Sequence, residues 1–158
     1  MTEEITVTIT TPTEREVVVT RDFAAPAALV FDALTKPELI KRWYGPPNAL
    51  EVCESDPRPG GTWRFVSNVR GKSIVQFGIY KEVDAPRRFV RTESWEDWDP
   101  GETFVTVDLV ERHGTTTMTQ SIVFPTQEVR DVVLKGGLTP KGTSEFYGRL
   151  EELLGSIA

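Results

Sequence analysis

Residues 139–157 read TPKGTSEFYGRLEELLGSI, and the fold is decided by what this stretch becomes. Pro140 suits a first helical turn, where its missing N–H costs nothing, and Thr139 before it can cap. Thr143, Phe146, Leu150, Leu153 and Ile157 then recur at steps of three or four. At about 100° per residue they form one apolar stripe, which Tyr147 and Leu154 widen. Lys141, Ser144, Glu145, Arg149, Glu151 and Glu152 fall on the other side, with Glu145 and Arg149 a favourable i,i+4 pair. Gly155 is expected to stop the helix. Such a helix reaches roughly 24 Å at about 1.5 Å per residue, enough to cross a whole sheet.

Upstream, the chain supplies that sheet. Glu14 to Phe23 reads as a strand centred on Val17, Val18 and Val19. Pro26 can start a short helix with Leu29, Val30, Ala33 and Leu34 inward, and Pro37 opens a second through Leu39, Ile40 and Trp43. From Ala49 the period changes to two. Strands are expected over Leu50–Ser55, Thr62–Ser67, Ser73–Val83, Phe89–Glu96, Thr103–Arg112 and Thr115–Phe124. The joints Pro59-Gly60-Gly61, Arg70-Gly71, Asp84-Ala85-Pro86, Asp99-Pro100-Gly101 and His113-Gly114 are short turns, so the strands run antiparallel. Gln127 to Leu134 reads as a further short helix. The fold class is therefore α+β: a curved antiparallel sheet of six to seven strands around a long C-terminal helix, with two short helices after the first strand. Residues 1–13 are expected to be an arm or an edge strand carrying an Ile5, Val7, Ile9 alternation, and 14–158 a single domain. One helix does not fill a strongly curved sheet of this size, which leaves room for an internal space.

Eighteen basic and twenty-four acidic side chains among 158 residues give a formal charge of −6. That balance argues against a nucleic-acid or anionic-membrane surface, whose affinity depends on clustered Lys and Arg. No apolar run approaches the eighteen or so residues of a membrane span, and the Thr-rich start resembles neither a signal peptide nor an anchor. Cys53 is the one cysteine, which excludes an internal disulfide and fits a reducing cytoplasm.

The stretch TRDFAAPAALVFDALTKPELIKRWYGP (Thr20–Pro46) resembles the opening of the START-like helix-grip superfamily. It is most similar to the branch related to the C-terminal domain of the Hsp90 ATPase activator. RPGGTWRFV (Arg58–Val66), FGIYKEVDAPRRFVRTESW (Phe77–Trp95), GTTTMTQSIVF (Gly114–Phe124) and GRLEELL (Gly148–Leu154) continue the match in order. The resemblance implies a deep cavity between sheet and long helix that takes an apolar or aromatic small molecule. It carries no universal catalytic motif, and the superfamily spans carriers, receptors and cyclases. The eukaryotic activators have an extra N-terminal domain with no counterpart here, which argues against a chaperone partner.

Candidate site residues follow from the strand faces. Trp63 and Phe65 share one face, as do Val75, Phe77 and Ile79 on the next strand, and Met118 and Ile122 later. Phe146 and Leu150 on the helix line the same space or form ordinary core. In the strand Phe89–Trp95, alternation puts Phe89, Arg91, Glu93 and Trp95 together, against Val90, Thr92 and Ser94. If the aromatic face is inward, Arg91 becomes the partner for an anionic head group, and Glu93 the weak candidate for a general acid or base. In the opposite register they form a surface pair. The expected ligand contacts are thus Trp63, Phe65, Phe77, Ile79, Arg91, Glu93, Trp95, Met118, Phe146 and Leu150. Trp98, in the acidic segment ESWEDWDPGE (Glu93–Glu102), caps the cavity mouth, packs on a second copy in a homodimer, or lies free on the surface. His113 sits in a hairpin tip, and a lone His and Cys53 assemble no zinc site; no metal and no cofactor is expected. The expected function is binding of an apolar or aromatic small molecule without chemistry. Its alternatives are a cyclase-, hydrolase- or isomerase-type enzyme in the same cavity, and a cochaperone-like interaction domain.

Overall fold

The computed structural model describes residues 7–157. Among them, eight strands form one sheet: β1 (Thr8–Thr10), β2 (Glu16–Phe23), β3 (Leu50–Ser55), β4 (Thr62–Val69), β5 (Lys72–Asp84), β6 (Arg88–Trp95), β7 (Thr103–Arg112) and β8 (Thr115–Val123). The spatial order is β1-β2-β8-β7-β6-β5-β4-β3, and every pair is antiparallel. The chain leaves β2 through helices α1 (Ala27–Thr35) and α2 (Pro37–Trp43) and lands on the far edge as β3. It then meanders back, strand by strand, until β8 lies beside β2. Turn chemistry drives the meander. At Arg70-Gly71 and His113-Gly114 both residues take positive φ (53° and 80°, 53° and 79°), the two-residue turn whose twist matches the strands it joins. His113 is therefore an exposed turn residue, as its neighbour Gly114 indicates.

The sheet has one strand more than the expected six to seven, because Thr8–Thr10 pairs with Val18–Thr20 as an edge strand. The Ile5 position of that alternation lies outside the described residues.

Two further helices close the structure, α3 (Gln127–Gly136) and α4 (Pro140–Ile157). Thr126 caps α3 by accepting from Val129 N–H at 3.2 Å, and Thr139 caps α4 by accepting from Gly142 N–H at 3.1 Å. Thr143, Tyr147, Leu150, Leu153 and Leu154 form the buried stripe of α4. Leu150 is completely shielded and packs in the same core as Val17, Val19, Phe23, Val105 and Leu109 of the sheet. Gly155 does not end the helix as expected; α4 continues to Ile157. Leu154 before it and Ile157 after it both pack against the core, which holds the last turn in place.

Trp43 ties α2 to both α1 and α4. Its indole N–H donates to Ala33 O at 2.8 Å, and its ring meets Phe146 and Tyr147 of α4 at 5.1 and 6.2 Å.

Candidate functional site

The site is organised by a tryptophan that crosses a strand. Trp63 on β4 pairs with Gly78 on β5, and its indole passes over that glycine to reach β6. There its N–H donates to Thr92 O at 3.0 Å, while Thr92 Oγ1 accepts from Ile79 N–H at 3.0 Å. Two side-chain bonds thus take over where the β5–β6 ladder is interrupted, between the Phe77–Ser94 and Tyr80–Arg91 pairs. Only glycine permits this approach: a Cβ at position 78 would lie 1.9 Å from Thr92 O and 2.7 Å from Trp63 Nε1.

Beside this wedge, between the sheet and α2, α3 and α4, lies a cavity of about 570 Å³. Phe89, Arg91, Glu93 and Trp95 of β6 all line it, so the aromatic face of that strand is inward. The Arg91 guanidinium carbon lies over the Trp63 ring, 4.2 Å from its centre. Arg91 and Glu93 form no ion pair among the described residues. Instead the Tyr44 hydroxyl donates to Gln76 Oε1 at 3.2 Å, and Gln76 Nε2 donates to Glu93 Oε1 at 2.9 Å. On the opposite wall the Tyr147 hydroxyl donates to Gln120 Oε1 at 2.6 Å.

Of the residues expected from the sequence, Trp63, Phe65, Arg91, Glu93, Trp95, Met118 and Phe146 meet around this space. Three do not. Phe77 and Ile79 point away from it and are 42% and 41% exposed on the outer sheet face. The inner face of β5 carries Ile74, Gln76, Gly78 and Tyr80, because the Trp63 indole needs the glycine on that side. Leu150 lies behind the cavity in solid core. Alternation by hydrophobicity alone selected the wrong face of β5. The glycine opposite a tryptophan, flanked by Gln76 and Tyr80, was the available signal. Tyr44 and Thr143 also line the cavity, the latter from within the helical stripe; Gln76, Thr103 and Gln120 line it too and were missed, since isolated polar residues carry no periodic signature.

At the mouth, Trp98 packs on Trp95 with ring centres 5.3 Å apart, and it lines the cavity while remaining 38% exposed. Val132 of α3 is likewise a lining residue that faces solvent.

Burial governs the electrostatics. The Glu93 carboxyl lies above the ordinary carboxylate range because it is desolvated; the Arg91 charge and the Gln76 hydrogen bond oppose that shift without cancelling it. The Tyr44 and Tyr147 hydroxyls are held well above their usual range by the same burial, which keeps them neutral donors. Cys53 is buried and its thiol is pushed up to about 11, so it is a poor nucleophile. Among the described residues no group of His, Cys, Asp and Glu could hold a metal ion, and no helix is long and apolar enough to cross a membrane.

A curved antiparallel sheet gripping a C-terminal helix, with a cavity between them, defines a helix-grip domain of the START-like class. The family model described as activator of Hsp90 ATPase homolog 1-like protein matches residues 24–155, and the chain belongs to that family. Similar solved structures include a protein from Rhodobacter sphaeroides, with 26% identity and a TM-score of 0.86 over 96% of this chain and 99% of that one. A protein from Nitrosomonas europaea is 28% identical, with a TM-score of 0.78 over 94% of this chain and 100% of that one. A protein from Mycobacterium smegmatis shares the fold at 23% identity, with a TM-score of 0.83 over 96% and 99% of the two chains. No curated protein matches the chain.

Proposed function

We propose that the protein binds an apolar or aromatic small molecule in the cavity between sheet and α4. The observation that carries this reading is a cavity of about 570 Å³ walled by aromatic side chains, Trp43, Tyr44, Trp63, Phe65, Trp95 and Phe146 among them. That volume falls in the range of small-molecule sites, and an apolar wall with few fixed polar groups is the usual composition of one. Trp63, Trp95 and Trp98 should report occupancy by fluorescence. The test is a thermal-shift titration with neutral apolar and aromatic compounds, coupled to native mass spectrometry of protein purified from its own host. A ligand that binds the native state alone raises the melting temperature with its concentration. A flat melting temperature across the panel, with no co-purified small molecule, removes this reading.

A second reading rests on Glu93. A carboxyl whose pKa is raised by burial in a largely apolar cavity, at the end of the Tyr44–Gln76–Glu93 chain, can serve as a general acid toward a bound carbonyl or enol. Binding and turnover separate in Glu93→Gln. A carrier retains its ligand with altered selectivity, whereas an enzyme retains binding and loses turnover.

A further inference from the structure

Three buried polar atoms, all on residues that line the cavity, have no partner among the described residues: Arg91 Nε, Thr103 Oγ1 and Thr143 Oγ1. Thr103 and Thr143 are 1% and 2% exposed, so neither hydroxyl has bulk water as an alternative. A buried donor left unmade costs more than a typical hydrogen bond contributes, and native cores rarely tolerate several in one place. Two of the three are neighbours in the sheet. Thr103 is the cross-strand partner of Glu93 and lies diagonally from Arg91, whose own partner is Val105. Thr143 approaches from α4 on the opposite wall.

Charge sharpens the point. Among the described residues, Arg91 and Glu93 are the only Asp, Glu, Lys or Arg side chains lining the cavity. They form no ion pair among the described residues, and Glu93 Oε1 accepts from Gln76 instead. The Arg91 guanidinium lies over the face of Trp63 at 4.2 Å and makes no salt bridge among the described residues. The remaining acids of the mouth segment, Glu96, Asp97, Asp99 and Glu102, are solvent-exposed and do not line the cavity. A half-buried guanidinium lining an apolar cavity, with no ion-pair partner of its own, is suited to an anion that something else supplies.

We infer that the ligand is an organic monoanion: an apolar or aromatic body carrying one oxyanion that accepts from Arg91, with the Thr103 and Thr143 hydroxyls donating to further oxygens. Arg91 and Trp95 lie four residues apart on one face of β6, roughly 13 Å at about 3.3 Å per residue. The apolar body therefore extends from Arg91 toward the Trp95–Trp98 pair at the mouth. This deepens the binding reading and rests on it.

A matched pair of fluorescent probes tests the two separately: 8-anilinonaphthalene-1-sulfonate, and N-phenyl-1-naphthylamine, the same ring frame without the sulfonate. The wild-type chain should bind the sulfonate at least tenfold more tightly, the scale of a charge-assisted hydrogen bond. Arg91→Met should erase that preference while leaving the neutral probe bound, and Arg91→Lys should restore part of it. Circular dichroism melting establishes that each variant is folded; Arg91→Gln replaces Arg91→Met if the latter does not refold. Equal affinity for both probes, or a preference unchanged in Arg91→Met, overturns the anion assignment and leaves the cavity reading standing. Failure of both probes to bind the wild-type chain removes both.

Discussion

Gly78, Trp63 and Thr92 form one device in which each residue is explicable only through the other two. The indole reaches Thr92 O because position 78 has no Cβ, and Thr92 turns its hydroxyl to Ile79 N–H because the indole has taken its carbonyl. Gly78→Ala must therefore displace the indole or part β5 from β6. The expected loss is about 1–3 kcal/mol in urea unfolding, the usual range for overpacking, together with a change in tryptophan emission. A variant as stable as the parent would show that the wedge gives way freely. Glu93, one residue beyond Thr92, has a distinct signature. Its folded pKa is raised above the ordinary 4.5, so between those two values the native state binds more protons than the unfolded one. Stability then falls as pH rises through that window, and the full penalty is present above it. Glu93→Gln keeps the oxygen that accepts from Gln76 but cannot ionise. It should match the parent near pH 4 and exceed it in urea midpoint at pH 8. A variant less stable than the parent at pH 8 would mean that the carboxylate is ionised and favourably held.

α4 is the element most fully legible in the sequence. Its cap at Thr139, its start at Pro140 and its stripe through Thr143, Leu150 and Leu153 all stand as the spacing implies. Leu150→Ala should cost about 2–5 kcal/mol, as expected for a leucine with no exposed surface in a packed core. A loss below about 0.5 kcal/mol in equilibrium unfolding would place that residue at the surface. β6 was legible as a choice between two faces, since alternation groups Arg91 and Glu93 with Phe89 and Trp95 whichever way the strand turns. β5 was misread because its outer face, with Phe77 and Ile79, is the more hydrophobic one. Period-two patterns record which residues share a face, but the sheet decides which face it buries. Here a contact between strands, the indole over Gly78, made that decision. The polar lining was out of reach for a related reason. Gln76, Gln120 and Thr103 belong together through pairing of β5 with β6, and of β7 with β6 and β8. No local pattern records such pairing.

At the scale of the whole molecule, a cavity of about 570 Å³ beneath the long helix is a packing deficit that the rest of the core must offset. Binding and stability are then opposed: whatever fills the space permanently should strengthen the fold and exclude the ligand. Thr143 offers the cleanest test. It lies on α4, lines the cavity, and buries a hydroxyl with no partner among the described residues. Thr143→Leu removes that hydroxyl, improves helix propensity and adds apolar volume at a residue that lines the cavity. The variant is expected to gain roughly 1–2 kcal/mol in urea unfolding, in contrast to the usual penalty for a larger core residue. The same substitution should weaken N-phenyl-1-naphthylamine binding at least several-fold, because probe and leucine compete for one volume. Both effects are required together. A stabilised variant that binds the probe undiminished would place the binding site elsewhere on the surface. A destabilised one would show that the wall beside Thr143 is already closed, and that the sheet and α4 meet there without a gap.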